Sequence, residues 1–401
     1  MDGGRAAGTA ADAAERRSLL RRPAMRALMA VTVLGFASYC LTLASLPTYA
    51  VQGGASETTA GIVTAVFLLV TIVSQISVPA LTARFGVGPV LAAGLVAIGL
   101  PSPLYALGDG LVWLSWLSAV RGVGFGIITV LGALLAAAVA PPERRGESIG
   151  LYGLAIAVPN LVAVPAGVAL VLAGHAGWLA WLAALPLLGL LFLPALVRTA
   201  TPPAPSPGGG AGRRAVGASL APALVLLVVT LAGGGVVTFL PIERPDGWLA
   251  TVALLVMGVT TAVARWRVGM LADRLGTRLL LPLGLAVGAV GIALLGGGLA
   301  WGDGWVLAAA ALFGACYGSV QNLTLLTAFA RSGPAGATTA SSMWNASFDA
   351  GTALGALALG WVAAGLGLSW TYVLVAAVLV MAGPLAVAAT RPYAPAGSRG
   401  P

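Results

Sequence analysis

The chain has 401 residues, of which 59% are apolar and only 8% are charged. A soluble globular protein of this length needs more charged side chains to cover its surface, so the composition excludes that class and indicates a chain embedded in lipid. The net charge of +9 is the excess of 21 Arg, with no Lys, over 12 acidic residues, and the Arg residues lie singly or in pairs along the chain. Such a distribution is typical of membrane topology signals and argues against binding to nucleic acid.

Twelve apolar runs, each close to the ~20 residues that a helix needs to cross a bilayer, follow a polar N-terminal tail. The first run is too long for the apolar core of a signal peptide and has no clear cleavage site, so we expect the tail to be retained. The predicted helices 1 to 12 cover residues 27–51, 59–82, 88–107, 111–139, 147–173, 177–198, 219–241, 248–270, 278–298, 304–330, 336–363 and 368–389.

The Arg residues fall almost entirely on one side of these helices. If the N-terminus is cytoplasmic, the segments on that side hold 19 of the 21 Arg, and the loops on the other side hold only Arg244. One miscounted helix would invert the sidedness of every later loop, so this asymmetry supports an even number of helices. We therefore predict a multi-pass protein of the cell inner (plasma) membrane with both termini in the cytoplasm.

A segment rich in Pro and Gly, 199–218, separates the first six predicted helices from the last six. This composition is typical of a flexible linker. We predict a disordered cytoplasmic tail at 1–24, a six-helix bundle at 25–198, the cytoplasmic linker, a second six-helix bundle at 219–390 and a cytoplasmic tail at 391–401.

The loop after predicted helix 8 carries a Gly-x-Leu-Ala-Asp-Arg-x-Gly-x-Arg motif, whose defining residues are Gly269, Asp273, Arg274, Gly276 and Arg278. The loop after predicted helix 2 carries a partial copy around Arg84, 190 residues before Arg274, with Ala83 in place of the Asp. Two copies in corresponding loops resemble the signature of the major facilitator superfamily, and the resemblance covers essentially residues 25–390.

This resemblance implies an all-α membrane protein with 12 transmembrane helices in two pseudo-symmetric six-helix bundles, the major facilitator fold. It implies a secondary active transporter that works by alternating access. The nearest group in function is the drug:proton antiporters, so we expect proton-coupled efflux of an amphipathic small molecule, such as a drug or natural product. Proton-coupled uptake of a small solute is the alternative within the same fold.

Two other classes are less well supported by the sequence. A membrane-embedded enzyme is disfavoured because no His/Cys/Asp constellation lies at a membrane face, so we expect no enzymatic activity. A membrane receptor is disfavoured because no soluble output domain is found. The chain also has no phosphate-binding loop, which argues against ATP as the direct energy source.

The loop motif implies a gate between the two halves. In the superfamily its Asp is thought to face a helix N-terminus of the other half, where the helix dipole stabilises a carboxylate. The resemblance therefore places Asp273 near Gly146 at the start of helix 5, and Ala83 implies that the matching latch between helices 2 and 11 is weak or absent. We assign to this gating loop Gly269, Asp273, Arg274, Gly276, Arg278 and Arg84. Alternatively, the glycines only form a tight turn and the arginines only set topology.

Two ionisable residues lie near the bilayer centre, where charges are costly and rarely incidental. Arg121 is in helix 4, in a stretch that only partly matches the helix 4 pattern of proton-linked family members, and Asp349 is in helix 11. A carboxyl group in an apolar environment can take and release a proton near neutrality, so we predict proton coupling at Asp349 with Arg121. Arg121 could instead bind an anionic substrate group, and a static structural role remains open for both residues.

Further polar residues mark a predicted substrate cavity inside the membrane. Amides and hydroxyls there can instead bridge helices structurally, and for any single residue that alternative is favoured. The cavity residues are Tyr39, Gln75, Asn160, Tyr317, Gln321, Asn322 and Asn345.

No metal site or cofactor is predicted, because Cys40 and Cys316 lie in unrelated apolar runs and His175 is the sole histidine. The expected partners are a small-molecule substrate, protons and the lipid bilayer, without nucleic acid. We expect a monomer.

Overall fold

The computed structural model describes residues 19–43, 45–55, 57–199, 209–243 and 248–393, and every element it describes is helical. Eleven segments within these residues are long and apolar enough to cross a membrane. We number the first nine α1 to α9, which are Pro23–Gln52, Ala60–Phe85, Val87–Leu107, Leu111–Val139, Pro142–Leu172, Ala176–Arg198, Gly212–Leu240, Trp248–Leu275 and Thr277–Trp301.

The tenth segment, Asp303–Ala363, is too long to be one membrane helix. A helix of its 61 residues would be about 90 Å long, roughly three times the thickness of the hydrocarbon core. Gly333 interrupts the helical geometry with φ 65° and ψ 179°. We therefore name the part before Gly333 α10 and the part after it α11, and Leu368–Ala389 is α12. Within the described residues, the predicted number of twelve spans is confirmed by this division.

Several spans contain more than one helix or extend past the apolar core. The α-helices are Pro23–Leu43, Ser45–Gln52, Glu57–Phe85, Val87–Gly99, Leu111–Val139, Arg145–Leu172, Ala176–Leu182, Leu193–Thr199, Gly209–Glu243, Trp248–Leu275, Thr277–Trp301, Asp303–Leu366, Leu368–Met381 and Gly383–Ala389, and the 3₁₀ helices are Leu19–Arg21, Ser102–Leu107, Pro142–Arg144 and Leu185–Leu191.

The helix that contains α7 begins earlier than predicted. It is continuous over Gly209–Glu243, whereas the sequence predicts residues up to 218 as irregular linker. The irregular part of that linker can therefore reach only residue 208, and residues 200–208 lie outside the described residues. Most of the two predicted tails, 1–18 and 394–401, also lies outside them, and the wider domain division stays a prediction.

The two largest buried apolar clusters form most of the interior of the described protein. The larger one is built mostly from α1 to α6, with additional side chains such as Leu325 and Trp344 from α10 and α11. The second is built from α7 to α12. We call these two helix groups the two halves.

The loops that carry the repeated motif have the same backbone conformation. Gly86, between α2 and α3, has φ 80° and ψ 165°, and Gly276, between α8 and α9, has φ 77° and ψ 165°. A side chain at either position would be strained, because L-residues rarely adopt this conformation. We call the end of the bundle that carries these two loops the Arg-rich end; the α4–α5 connection and the α10–α11 break lie at the same end.

Candidate functional site

Asp273, on the last turn of α8, contacts the start of α5 as the sequence predicts. Its two carboxylate oxygens accept hydrogen bonds from the backbone N–H groups of Gly146, at 2.9 Å, and Glu147, at 3.0 Å. The N–H groups of a first helical turn have no partner within the helix, so a carboxylate there gains both hydrogen bonds and the favourable end of the helix dipole. The residue thus joins the two halves at the Arg-rich end.

Beside the Asp273 contact, α5 and α8 cross each other, and two glycines bring their backbones into contact at this crossing. A Cβ atom on Gly146 would meet the backbone carbonyl of Gly269, and a Cβ atom on Gly269 would meet the backbone carbonyl of Gly146. Asn322, on α10, spans the crossing because its amide donates to the Gly146 carbonyl at 3.2 Å and to the Arg265 carbonyl at 2.8 Å. Gly269 therefore permits a close approach of the halves, which the motif alone does not reveal.

The arginines of the motif do not join the two halves in the described structure. Arg84, Arg274 and Arg278 are all exposed at the Arg-rich end, and none has a hydrogen bond or ion pair to another described residue. Ala83 is exposed too, so the loop after α2 makes no counterpart of the Asp273 contact. These positions agree with the alternative in which the arginines only set topology.

Deeper in the bundle, α2 and α11 are joined by Gln75, which is predicted as a cavity residue, and Asp349, which is predicted as the proton-coupling residue. Gln75 Nε2 donates to Asp349 Oδ2 at 2.7 Å and to Thr129 Oγ1 at 3.3 Å. The Ser342 hydroxyl donates to the Gln75 backbone carbonyl. Asn345 Nδ2 reaches the Thr129 carbonyl at 3.4 Å, although its shorter bond, 2.9 Å, is to Ser341 within α11. Asp349 thus accepts a hydrogen bond from the opposite half.

Arg121 is fully buried inside the first half, and each of its five N–H groups has an acceptor. Its Nε donates to the Ile98 carbonyl at 3.1 Å, its Nη1 to Thr42 and Tyr105 at 2.9 and 3.3 Å, and its Nη2 to the Ser38 carbonyl and hydroxyl at 3.1 and 2.8 Å. None of these acceptors is a carboxylate. The structure does not bring Arg121 together with Asp349, and it favours the structural role that the sequence left open.

Tyr39 lies beside Arg121 at the edge of a very small cavity of about 10 Å³. The Tyr39 ring stacks on Phe125, with ring centroids 4.2 Å apart, and on Phe67, at 5.4 Å. The cavity is therefore lined by both apolar and polar side chains. Its lining residues are Tyr39, Thr42, Leu43, Leu46, Val63, Thr64, Phe67, Ser118 and Arg121.

The predicted residues of α10 surround an arginine that the sequence analysis had treated only as a topology signal. Arg265, on α8, is 5% exposed, and its Nη1 donates to Gln321 Oε1 at 2.9 Å. Tyr317 packs against Phe313 and Phe348, with ring centroids 5.8 and 6.2 Å away. Arg265 is one of the 19 Arg residues interpreted above as cytoplasmic topology signals, but it lies ten residues before the end of the helix at Leu275. That depth is the sequence signal that could have singled it out.

Asn160 is the predicted cavity residue that the structure leaves apart from the others. It is exposed on α5, and its amide donates to the Ile156 carbonyl one turn earlier, at 2.9 Å. Among the described residues, no group of His, Cys, Asp or Glu side chains could hold a metal ion.

Several hydrogen bonds join the halves between the Arg-rich end and Asp349. They run from the Asp273 contact at the Arg-rich end up to the Gln75–Asp349 pair, and a further bond joins Ser341 to the Val130 carbonyl at 2.6 Å. The structure is therefore a state that is closed at the Arg-rich end.

Comparison with known proteins agrees with this architecture. A sequence model of the Major Facilitator Superfamily matches residues 27–342. No curated protein sequence gave a match to the chain.

Solved structures with a similar fold share little sequence with this chain. The human organic anion transporter MFSD10 (TETRAN) is 15% identical with a TM-score of 0.75, and the match covers 91% of this chain and 99% of that one. The Major Facilitator Superfamily transporter FucP in the outward conformation is 14% identical with a TM-score of 0.77, covering 94% and 100%. A point variant of the E. coli fucose:proton symporter FucP is 14% identical with a TM-score of 0.75, covering 92% and 98%. Since the family match spans most of the chain and the twelve-helix fold agrees with it, this chain belongs to the Major Facilitator Superfamily and is a transporter rather than an enzyme.

Proposed function

We propose that this protein is a proton-coupled exporter of an amphipathic small molecule, with Asp349 as the proton-binding group. The observation that carries the proposal is the hydrogen bond from Gln75 to Asp349, which joins the two halves within the membrane. An ionised carboxylate is the better acceptor, so loss of its charge weakens this bond. Protonation of Asp349 therefore favours separation of the halves. The proton acts as a ligand with different affinity for the closed and the separated state, and this difference shifts the equilibrium between them.

The environment of Asp349 suits this role. Tyr39 of α1 and Tyr317 of α10 are the titratable groups close enough to interact with it electrostatically. Arg121 and Arg265 have other partners, so neither neutralises Asp349 by an ion pair. A carboxylate with no basic partner can exchange its proton without breaking a salt bridge.

The substrate class is inferred from the residues around Tyr39 in the first half. Rings such as Tyr39, Phe67 and Phe125 supply apolar surface, and the hydroxyl groups of Thr42, Thr64 and Ser118 lie nearby. This mixture fits an amphipathic molecule better than a sugar, which needs many hydrogen-bonding groups. Because Arg residues mark cytoplasmic loops, we place the Arg-rich end and both termini in the cytoplasm.

The proposal is tested in proteoliposomes with an imposed pH gradient and three fluorescent amphipathic probes, N-dansylphenylalanine, ethidium and rhodamine 6G. We expect Asp349→Asn to reduce pH-driven transport of the accepted probe by at least about tenfold, since the amide still bonds Gln75 but cannot titrate. Exchange of the same probe without a gradient should persist. The matched control is Asp303→Asn, which alters an exposed acid at the start of α10.

Three results would refute the proposal. Full pH-driven transport by the Asp349→Asn protein would remove Asp349 as the coupling group. If wild-type protein moved each probe only in the direction in which protons flow down their gradient, and never in the opposite direction, the function would be uptake. No movement of any probe by folded wild-type protein would exclude efflux of amphipathic molecules.

A second prediction concerns the gate at the Arg-rich end. Asp273→Asn keeps one acceptor oxygen but loses the charge and one of the two bonds to α5, which costs about 2 kcal/mol, or roughly 30-fold in the ratio of closed to open protein. We expect spin labels at Arg198→Cys and Arg391→Cys, two exposed positions of this end on opposite halves, to show a longer mean distance. Cys40 and Cys316 are 0% and 1% exposed and should stay unlabelled. An unchanged distance distribution would show that Asp273 does not hold the halves together.

A further inference from the structure

Arg265 is a buried arginine whose hydrogen-bonding groups are only partly used. It lies ten residues before the end of α8, so about 15 Å from the Arg-rich end of that helix. Nη1 is bonded to Gln321, but Nε and Nη2 have no hydrogen-bond partner in the described structure. Buried donors without partners are rare in folded proteins and costly, so their presence calls for a ligand.

The two unpartnered nitrogens form one edge of the guanidinium group. Nε–H and the nearer Nη2–H point in parallel, which is the geometry that binds both oxygens of a carboxylate at once. Arg121 offers no such edge, since all five of its N–H groups are bonded to neighbouring helices. Of the two membrane-embedded arginines described here, Arg265 is therefore the one whose N–H groups are available to bind an anion.

The internal repeat relates Arg265 to Gln75, which has an acidic partner, and among the described residues Arg265 has none. The offset of 190 residues that relates Gly86 to Gly276 also relates Gln75 to Arg265. Gln75 is bonded to the carboxylate of Asp349, but the same offset relates Asp349 to Pro159, which has no acidic group. The described chain contains a single ion pair, Arg144–Glu147, so no carboxylate of the described protein fills the place beside Arg265.

The surroundings of Arg265 belong to both halves of the molecule. Its side chain crosses to α5, where a Cβ atom on Gly153 would meet its Cδ and Nε atoms. The Arg265 Cζ lies 5.9 Å from the centre of the Trp344 ring on α11, and Tyr152 and Tyr317 are within electrostatic range. A molecule bound here would have an aromatic wall beside a positive charge, and it would reach the site when the halves separate.

We propose that the free Nε/Nη2 edge of Arg265 binds a carboxylate group of the transported molecule, so that the substrate is an amphipathic organic anion. This inference rests on the proposed export of an amphipathic molecule and narrows its class. The acidic group of the substrate is then recognised at the interface of α5, α8, α10 and α11, and the aromatic side chains contact the apolar part of the substrate.

The test measures binding without a proton gradient, so that it can fail independently of the transport experiment. N-dansylphenylalanine, decanoate and 1-naphthylacetate are each compared with their uncharged carboxamides, by thermal stabilisation of purified full-length protein and by tryptophan quenching. We expect at least one acid to bind about tenfold or more tightly than its amide, as a bidentate charge-assisted pair implies. Arg265→Gln should abolish this preference, chiefly by weakening the binding of the acid, and Arg265→Lys should restore it only in part.

Arg267→Gln is the matched control, because Arg267 is exposed two residues further along α8, with its guanidinium group over the neighbouring Trp266 ring. It should retain the full preference. Equal binding of acid and amide in every pair, or an acid preference that survives in folded Arg265→Gln protein, would overturn the inference. Sodium chloride and sodium phosphate are tested alone: an Arg265-dependent stabilisation by either that matches the organic acids would make the site one for a free inorganic anion and would also overturn it.

Discussion

Gly269→Ala is expected to hold the protein open at the Arg-rich end and to reduce transport by at least about tenfold. The added methyl group would meet the Gly146 carbonyl across the interface, and overpacking of this kind costs about 1–3 kcal/mol, or roughly 5- to 140-fold in the closed population. The clash involves the backbone of the other half, so the halves can relieve it by separating. Alanine favours an α-helix over glycine by about 1 kcal/mol, so α8 itself should not be weakened.

The matched control is Gly258→Ala on the same helix, where a Cβ atom would have no neighbour within 4 Å. The distance between spin labels at Arg198→Cys and Arg391→Cys should lengthen for Gly269→Ala and stay at the wild-type value for Gly258→Ala. If both variants transport normally and give the wild-type distance, the Gly146–Gly269 contact is not part of the transport cycle.

Arg121→Ala is expected to lower the free energy of unfolding by about 3–5 kcal/mol, the largest stability effect that we predict. Arg121 connects α1, α3 and α4 through the five hydrogen bonds described above, and its removal leaves an empty space among buried groups. The measurement is the midpoint of SDS-induced unfolding of purified protein, followed by tryptophan fluorescence.

Arg267→Ala provides the comparison for Arg121→Ala, since an exposed side chain should change stability by no more than about 0.5 kcal/mol. A wild-type unfolding midpoint for Arg121→Ala, together with the loss of proton-driven transport, would contradict the structural role. It would return Arg121 to the coupling role that the sequence suggested.

The comparison of the two buried arginines shows why residue type alone is a weak guide to function. Both are in apolar helices, and the sequence singles out Arg121 because it lies near the middle of its predicted span. Burial in the structure is similar, at 0% for Arg121 and 5% for Arg265, but only Arg265 has donors without a partner. The distinction depends on which helices surround each side chain.

Most of the architecture could be predicted from the sequence, because its causes are local or periodic. A membrane helix must be apolar over about twenty residues, so hydropathy locates the spans without knowledge of their packing. The repeated loop motif relates the two halves. Its resemblance to the superfamily signature also implies where Asp273 lies, and the stabilisation of a carboxylate at a helix N-terminus supports that position. Only the α7 boundary was missed by a large margin, since small residues and Pro before 219 mask a helix that begins at Gly209.

The candidate site was only partly predictable, because its contacts join residues far apart in the chain. Gln75 and Asp349 were each proposed as functional, but their bond joins positions 274 residues apart. Asn160 has the same polar character as Asn345, yet it is exposed and bonded within its own helix. Hydropathy cannot show which way a side chain faces once the halves are assembled.

The sequence by itself therefore determined the number of membrane spans and the internal repeat, since each depends on apolar length or on a local motif, and the family resemblance predicted the contact of Asp273 with the start of α5. Only the tertiary structure decided that Arg121 is saturated with hydrogen bonds, that Gly146 and Gly269 bring the halves into contact, and that Arg265 has a free edge. These features arise from the rotation and packing of helices against one another, because hydrogen bonds and close contacts depend on distances of a few ångströms that no local pattern specifies.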